Sequence, residues 1–493
     1  MERDATAHST LRLRAFFRHF RDGEVPDAYY QYLRGEISRE RLYSSHPVQA
    51  KASEDEAWQA ELGIEPHDTV RARIAAALNG AATWALIGGP PCQAYSLVGR
   101  SRMARVSRDK FESDSRHVLY KEYLRILADH EPPVFIMENV KGLLSSTFKG
   151  EGIFDLILND LRAPAASIGR ANGGEYRLYS VVERVGRQPT LWPAPSDYVI
   201  RCEDYGIPQA RHRLIVFGVR SDLAGFPASF DLDRLEPVPA AKAIDDLPRL
   251  RSGLSKSPDS DDAWHSVVQG AVENWRHDKA FCGPELAPVL RKAEQLSKNL
   301  TRPRAKRGAR FIKTIKRPAY RPDWFIDDRL GGVCNHETRG HISQDLVRYY
   351  FACSFAQVYR RSPTLKDFPR DLLPVHQNAL DALNGNLFSD RFRVQLRNRP
   401  ATTITSHISK DGHYFIHYDA SQCRSLTVRE AARLQTFPDN YFFEGPRTAQ
   451  YVQVGNAVPP MLAQQIATRV LTVLDSFLPD DKTGTLAPGA VSR

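Results

Sequence analysis

Residues 88–100 read GGPPCQAYSLVGR and follow directly on the apolar run WALI (84–87). Two glycines, two prolines and one cysteine leave that run, with no charge until Arg100. Glycine lets a ligand approach the backbone closely, and proline fixes φ and stiffens a turn. A loop leaving the carboxyl end of a parallel strand is where α/β folds place ligands and catalysis. The thiol of Cys92, held rigidly there, can attack an electrophile. A lone cysteine is otherwise a small apolar filler of a core, but a filler needs no such loop. A free thiol ionises near pH ~8.5, so Cys92 needs cations or N–H groups around it to act as a thiolate.

A carboxylate and two guanidiniums stand at comparable places. Glu138 lies near the end of the run PVFIMENV (133–140), which puts it at the same sheet edge as Cys92. A carboxyl there serves as a general acid where burial raises its pKa, or it simply ties a loop. Gln209, Arg211 and Arg213 alternate in QARHRLIVFG, so all three are expected on one face of the strand they begin. Two arginines on one face suit a phosphate or a base carbonyl, and an exposed charged edge reads the same way.

The elements that must position these groups follow from hydrophobic period. WALIGG and PVFIMENV are short continuous apolar runs, as buried parallel strands are. HVLYKEYLRILADHEPP between them reads as a helix stopped by Pro132 and Pro133, giving a strand, helix, strand unit of an α/β sheet. YRLYSVVERV and RHRLIVFGVR read as two further strands. Before them, LRLRAFF and DAYYQYLRGEI have roughly helical spacing, with Asp27 as an N-cap, and TVRARIAAALNG (69–80) is a helix that Asn79 and Gly80 end. Residues 221–390 are rich in proline and charge and read as a separate, smaller, loop-rich domain. Beyond 391, SLTVREAARLQTF and PPMLAQQIATRVLTVLDSFL are amphipathic helices.

The chain of 493 residues, 42% apolar and 26% charged, can bury a large core over two or three domains. No apolar run approaches the ~18 residues that span a bilayer, and the first twenty residues lack a signal-peptide core. A cytoplasmic protein without a membrane is therefore expected. The formal charge of +10 favours a polyanionic partner. Residues 302–321, RPRAKRGARFIKTIKRPAYR, hold nine of the lysines and arginines and no acid. Cysteines 92, 202, 282, 334, 353 and 423 form no C-x-x-C pair, which excludes a zinc ribbon or dithiol site and fits a reducing compartment. CNHETRGH (334–341) groups Cys334, His336 and His341, but in no standard zinc spacing, and no metal is assigned.

In order along the chain, GGPPCQAYS, MENVKGLLS, QARHRLIVFG, RPATTITS (399–406), RSLTVREAARLQTFPDNY (424–441) and QVGNAVPP (453–460) resemble the C5-cytosine DNA methyltransferase family. The resemblance covers nearly the whole chain, and six motifs in that order make it specific. It implies an α/β fold with a Rossmann-like methyltransferase sheet and a second, smaller target-recognition domain. Residues 1–220 would be the first part of the catalytic domain, 221–390 the recognition domain, 391–478 the returning catalytic part, and 479–493 a disordered tail. The implied activity is transfer of a methyl group from S-adenosyl-L-methionine to C5 of a cytosine flipped out of double-stranded DNA. The Cys92 thiolate would add to C6, Glu138 would act as the acid at N3, and Arg213 near O2 would relieve charge on the base. Arg211 would help ionise the thiol, and Asn139 would hold the loop and base. Arg302, Arg304, Lys306, Arg307, Arg310 and Lys313 would contact phosphates, each contact releasing counterions. The family also implies a bacterial restriction-modification or phage-defence setting, a cognate restriction endonuclease and a monomeric enzyme.

The chain departs from the family at its start. Members open with a strand and a glycine-rich turn of the DLFAGAGG type that cradles the cofactor's methionine part. Here MERDATAHSTLRLRAFF resembles the stretch after the second strand, making Glu2 the acid for the cofactor ribose. The absent piece would be a strand, helix, strand unit of roughly 30 residues. Its loss is expected to leave WALI as an open apolar edge and to weaken binding of the methyl donor. The remaining cofactor contacts would be Glu2, Asp68, Pro91, Asn456, Ala457 and Val458. A start codon placed too far downstream, a split enzyme and a catalytically inactive DNA-binding remnant all account for this. An RNA cytosine methyltransferase is a further alternative, less suited to the long insert.

Overall fold

The computed structural model describes residues 1–90, 115–148, 151–182, 193–223, 230–298, 300, 307–374 and 390–477. The expected tail at 479–493 lies outside them.

Near the N-terminus, Asp4 caps α1 (Ala5–Arg18) by accepting from the N–H groups of Thr6 and Ala7. Helices α2 (Asp27–Arg34), α3 (Arg39–Ser45) and α4 (Pro47–Glu56) follow. Asp27 is not the cap of α2. Pro26 holds that position, and the Asp27 carboxylate accepts from Arg329 at 2.7 Å. The expected helix at 69–80 is α5 (His67–Leu78), ended by left-handed Asn79 and Gly80.

The apolar runs fold as β1 (Ala85–Gly88) and β2 (Val134–Val140), parallel, with Ala85 opposite Val134 and Gly88 opposite Met137. Parallel neighbours need a crossover, and α6 (Ser115–His130) belongs to it. Helix α7 (Ile153–Arg162) precedes β3 (Tyr176–Tyr179) and β4 (Val199–Arg201). Short β5 (Gln209–Ala210) then leads into β6 (His212–Arg220). The main sheet runs β1–β2–β6–β3, with β4 also on β6. Strand β6 is buried almost throughout, as parallel strands usually are, yet it lies antiparallel to both β2 and β3. Burial reports that both faces are covered and says nothing of direction. Ile136, Ile215 and Phe217 face α13 (Pro460–Ser476), while Phe135, Met137 and Val216 face α6 and α7. Among the described residues no strand pairs the other edge of β1, where Ile87 is 75% exposed.

The insert is more helical than its proline content suggests. It holds α8 (Asp261–His277), α9 (Ala287–Lys298) and α10 (Ser343–Tyr359). Trp264, Val268, Ala271, Val272 and Trp275 fall at helical spacing along α8 and are all buried. Their core continues into Ala401, Ile404 and residues of α11 (Val428–Leu434) and α12 (Arg447–Asn456). Packing thus runs across the division at 390. The hairpin of β7 (Gly308–Lys313) and β8 (Gly332–Glu337) contributes Phe311 and Cys334 to the core of the N-terminal helices.

The core also contains titratable groups. His336 donates through Nε2 to the Pro248 carbonyl at 2.7 Å and, as a neutral ring, accepts at Nδ1 from the Thr427 hydroxyl at 2.9 Å, and His417 stands 3.6 Å from Glu430. Burial pushes both imidazoles down to about 4. The unfolded chain therefore takes up these protons near pH 6.5, and the folded chain only near 4. Stability conferred by neutral histidine is complete above 6.5 and is lost as pH falls towards 4, by an amount on the order of 3 kcal/mol for each. Urea midpoints should fall steadily from pH 7 to pH 5, and His336→Gln with His417→Asn should flatten that slope.

Candidate active site

The carboxyl ends of β1 and β2 open into a cleft of about 530 Å³ bounded by Glu138, Asn139, Arg211, Arg213, Glu2 and Asn456. Pro91 and Cys92 lie outside the described residues, and their loop leaves from Gly89 and Pro90 at this cleft. The Asn139 side chain, 5% exposed, donates to the Pro90 carbonyl at 2.8 Å and so holds the root of the loop to β2. Both glycines meet protein atoms here. A Cβ on Gly88 would stand 2.5 Å from the Tyr123 ring, and one on Gly89 would stand 3.3 Å from Glu138 Oε2. Room for α6 and for the carboxylate, then, accounts for them within the chain itself.

Glu138 and Arg213 form an ion pair at 2.9 Å, with side chains 23% and 15% exposed. The register explains it, since Val140 lies opposite Arg213 and Glu138 is two residues earlier on the same face. Arg213 also donates to the His212 carbonyl at 2.8 Å.

Arg211 and Gln209 do something else. Arg211 is 1% exposed and donates to the Ile404 carbonyl at 2.8 Å and the Gly455 carbonyl at 3.3 Å. Burial pushes its guanidinium down to about 10, and Arg213 adds to the effect. Its Nε–H has no partner among the described residues. Gln209 is wholly buried; it donates to Gln435 Oε1 at 3.0 Å and accepts from the Ile404 N–H at 2.6 Å. The expected alternation on one face breaks because β5 pairs with β9 (Ala401–Thr402), not with the main sheet. Gln435 donates in turn to the Val454 carbonyl at 2.7 Å. It was not singled out from the sequence, although its motif RLQTF was. A buried amide between two glycine- and proline-rich motifs was the available signal. Gly455 is required by close approach, as a Cβ would lie 2.2 Å from Ser406 N.

The remaining expected residues divide. Glu2 stands on the far wall of the cleft, paired in parallel with Gln59, and its Oε1 accepts from Asp4 N–H at 2.8 Å. Asn456 lines the cleft. Ala457 accepts from Gln435 through its carbonyl at 3.3 Å, and Val458 packs on the sheet core. Asp68, 89% exposed on α5 and 3.8 Å from Arg71, does not line the cleft. Arg302, Arg304 and Lys306 lie outside the described residues. Arg310 donates to the Tyr32 carbonyl at 2.8 Å and lies over the Tyr32 and Phe442 rings. Arg307 donates to the Thr338 carbonyl at 3.3 Å. Lys313 is exposed. Cys334, His336 and His341 turn to separate partners, the Leu33 carbonyl, Thr427 and Tyr349.

A cleft at strand ends, carrying an ion-paired carboxylate beside the root of a loop, is where α/β enzymes place their ligands. Comparison with known proteins names the kind. The family model for C-5 cytosine-specific DNA methylase matches residues 69–165 and 196–472, and the chain belongs to that family. It is 31% identical to the type II methyltransferase M.Bpa9945I of Bacillus paralicheniformis, over 96% of this chain and 93% of that one. It is 26% identical to the type II methyltransferase M.DdeI of Desulfomicrobium norvegicum, over 78% and 72%. It is 25% identical to the DNA (cytosine-5-)-methyltransferase M.ApeKI of Aeropyrum pernix, over 81% and 83%.

Arg211→Lys tests the second layer of the cleft. One ammonium cannot span both the Ile404 and Gly455 carbonyls as a guanidinium does. The variant should lose about 2–4 kcal/mol of stability in urea titration. Its turnover should fall at least about tenfold, with KM for DNA changing much less.

Proposed function

We propose that this chain methylates C5 of a cytosine within a specific double-stranded DNA sequence, through a covalent bond between Cys92 and C6. The observation that carries the reading is the Glu138–Arg213 pair, standing in one cleft with the Asn139-tethered root of the Cys92 loop. An extruded cytosine presents N3 and O2 together, and an acid beside a guanidinium is complementary to that edge. As the thiolate adds to C6, the C5=C6 electron pair moves into the ring. Glu138, taking up a proton from solvent as the entering base displaces Arg213, passes it to N3, and Arg213 turns an N–H to O2, so the charge is neutralised where it develops. S-adenosyl-L-methionine supplies the electrophilic methyl group that C5 takes. Solvent water then takes the C5 proton, the C5=C6 bond re-forms as the C6–S bond breaks to return the thiolate, and N3 gives its proton back to Glu138.

The cofactor suits the residues present. The Glu2 carboxylate fits the ribose hydroxyls, Asn456 offers an amide, and the absence of a side chain at Gly89 keeps the space beside Glu138 open. Arg302, Arg304, Lys306 and Lys313 are the proposed phosphate contacts, whereas Arg307 and Arg310 are engaged within the fold. The type II names of the relatives support a restriction-modification role with a cognate endonuclease.

Bisulfite sequencing of DNA from cells expressing the 493 residues, with and without in-frame upstream codons, should reveal one methylated sequence. Cys92→Ala should abolish methylation and also prevent capture by a duplex carrying 5-fluorocytosine. Glu138→Gln should lower turnover by about 10²–10⁴ with DNA affinity retained. DNA binding with neither methylation nor capture in any form would establish a non-catalytic binder instead.

A further inference from the structure

A second cavity, of about 780 Å³, shares no lining residue with the cleft. Its floor is apolar, made by Cys353 and Ala356 of α10 with Val394 and the face of Tyr418, all buried. Its rim is cationic: Arg249, Lys292, Arg360, Arg397 and Arg399 reach it from separate segments of the chain. Asp419 is the one carboxylate in the lining, and it is already held by Arg249 at 3.0 Å. Arg397 is taken by Asp245 at 2.6 Å.

The other three cations lack a counter-charge among the described residues. Among the described residues the side chains of Arg360 and Arg399 have no hydrogen-bond or ion-pair partner, and Lys292 has only the amide of Gln295, at 3.2 Å. Arg360 carries an independent sign. It caps α10 in the left-handed conformation, with φ at 57°, where glycine is the unstrained choice. Its neighbour Arg361 is fully engaged, with Asp367 at 2.7 Å and 2.9 Å. A strained backbone thus presents a free guanidinium at the mouth of a cavity. Like charges gathered without an internal anion repel one another, and a bound anion removes that cost.

We propose that this cavity binds a nucleoside phosphate. Arg360, Arg399 and Lys292 hold the phosphate, and the apolar floor with Tyr418 receives the base and sugar. Guanidinium forks match phosphate oxygens, and the volume lies in the range of small-molecule sites. The nucleoside phosphate is either a free nucleotide or one unit of a DNA strand passing outside the cleft. The site goes beyond methyl transfer and does not depend on it.

The test uses the full chain, Lys292→Gln, and a double variant joining Arg360→Gly to Arg399→Gln. Glycine at 360 relieves the left-handed strain, so that variant should keep its melting midpoint. The probes are tripolyphosphate, ATP and a duplex of A and T alone, which offers no cytosine to the cleft. Calorimetry should show tripolyphosphate binding weakened at least tenfold by the double variant and less by Lys292→Gln. ATP held more tightly than tripolyphosphate, and lost in parallel, assigns a free nucleotide. A fall of about two in the slope of log affinity against log salt for the duplex assigns a DNA strand. Unchanged affinities for all three probes would overturn the site. Loss of tripolyphosphate binding alone would overturn the nucleoside assignment.

Discussion

A guanidinium leaves water at low cost only where carbonyls or carboxylates replace its lost hydrogen bonds, and Arg424, Arg429 and Arg433 are buried on those terms, as is Arg211 at its two terminal nitrogens. Arg424 grips Glu430 with two bonds of 2.6 Å, and Arg433 bridges Asp439 at 2.6 Å and Asp246 at 3.2 Å. Arg429 donates to the carbonyls of Cys334, Pro438 and Tyr441. The contacts from Arg433 to Asp246, from Arg429 to Cys334 and from Arg211 to Ile404 and Gly455 join residues far apart in sequence, and they tie the segment 401–456 to the insert and the sheet. Breaking one partner strands a charge in the interior, which costs far more than the intact pair contributes. The cleft inherits its shape from this arrangement: Arg211 places Ile404 and Gly455 against the sheet, and Gly455 leads into Asn456 on the cleft wall.

What could be read from the sequence divides along physical lines. β1, α6 and β2 follow from local period and from prolines, and Asn79 with Gly80 ended α5 as their left-handed conformations require. The direction of β6 could not be read, because apolar residues on alternate faces satisfy two covered faces whichever way the strand runs. The helices of the insert were obscured by flanking proline and charge, although Trp264, Val268 and Trp275 carried the period. Glu138 and Arg213 were legible as chemistry-bearing residues, but their pairing depends on a register fixed only by β2 lying beside β6. Arg211 looked equivalent to Arg213, since a two-residue spacing cannot reveal that β5 leaves the main sheet for β9.

The basic character of the chain is spent in several ways. Arg310 joins the hairpin to the N-terminal helices, Arg307 ties the hairpin's two ends together through the Thr338 carbonyl, and Arg14 stacks on Phe17 and Tyr441. A run of like charge in sequence is therefore not a surface in space. Its members alternate along a strand and meet different neighbours, and long aliphatic stems let arginine pack as an apolar group would. The charge that has no ion-pair partner among the described residues, such as Lys313 and, at the second cavity, Arg360 and Arg399, is what a polyanion can use.

The Glu138–Arg213 pair explains how such a cleft stays ready without a base in it. A lone carboxylate with 23% exposure would lose hydration that nothing returned, and so would a lone guanidinium with 15%. Paired at 2.9 Å, each compensates the other, and both are held in place by strands buried on two faces. In the proposed reaction the entering base exchanges one contact between them for two contacts to itself. The donors are already aligned before charge appears on the ring, so little reorganisation is left for the moment of bond formation. The side-chain N–H of Asn139 likewise fixes the Pro90 carbonyl at the root of the loop, from a buried amide whose oxygen accepts from the Val140 N–H. The alignment of these groups then depends on how β2 is held between β1 and β6.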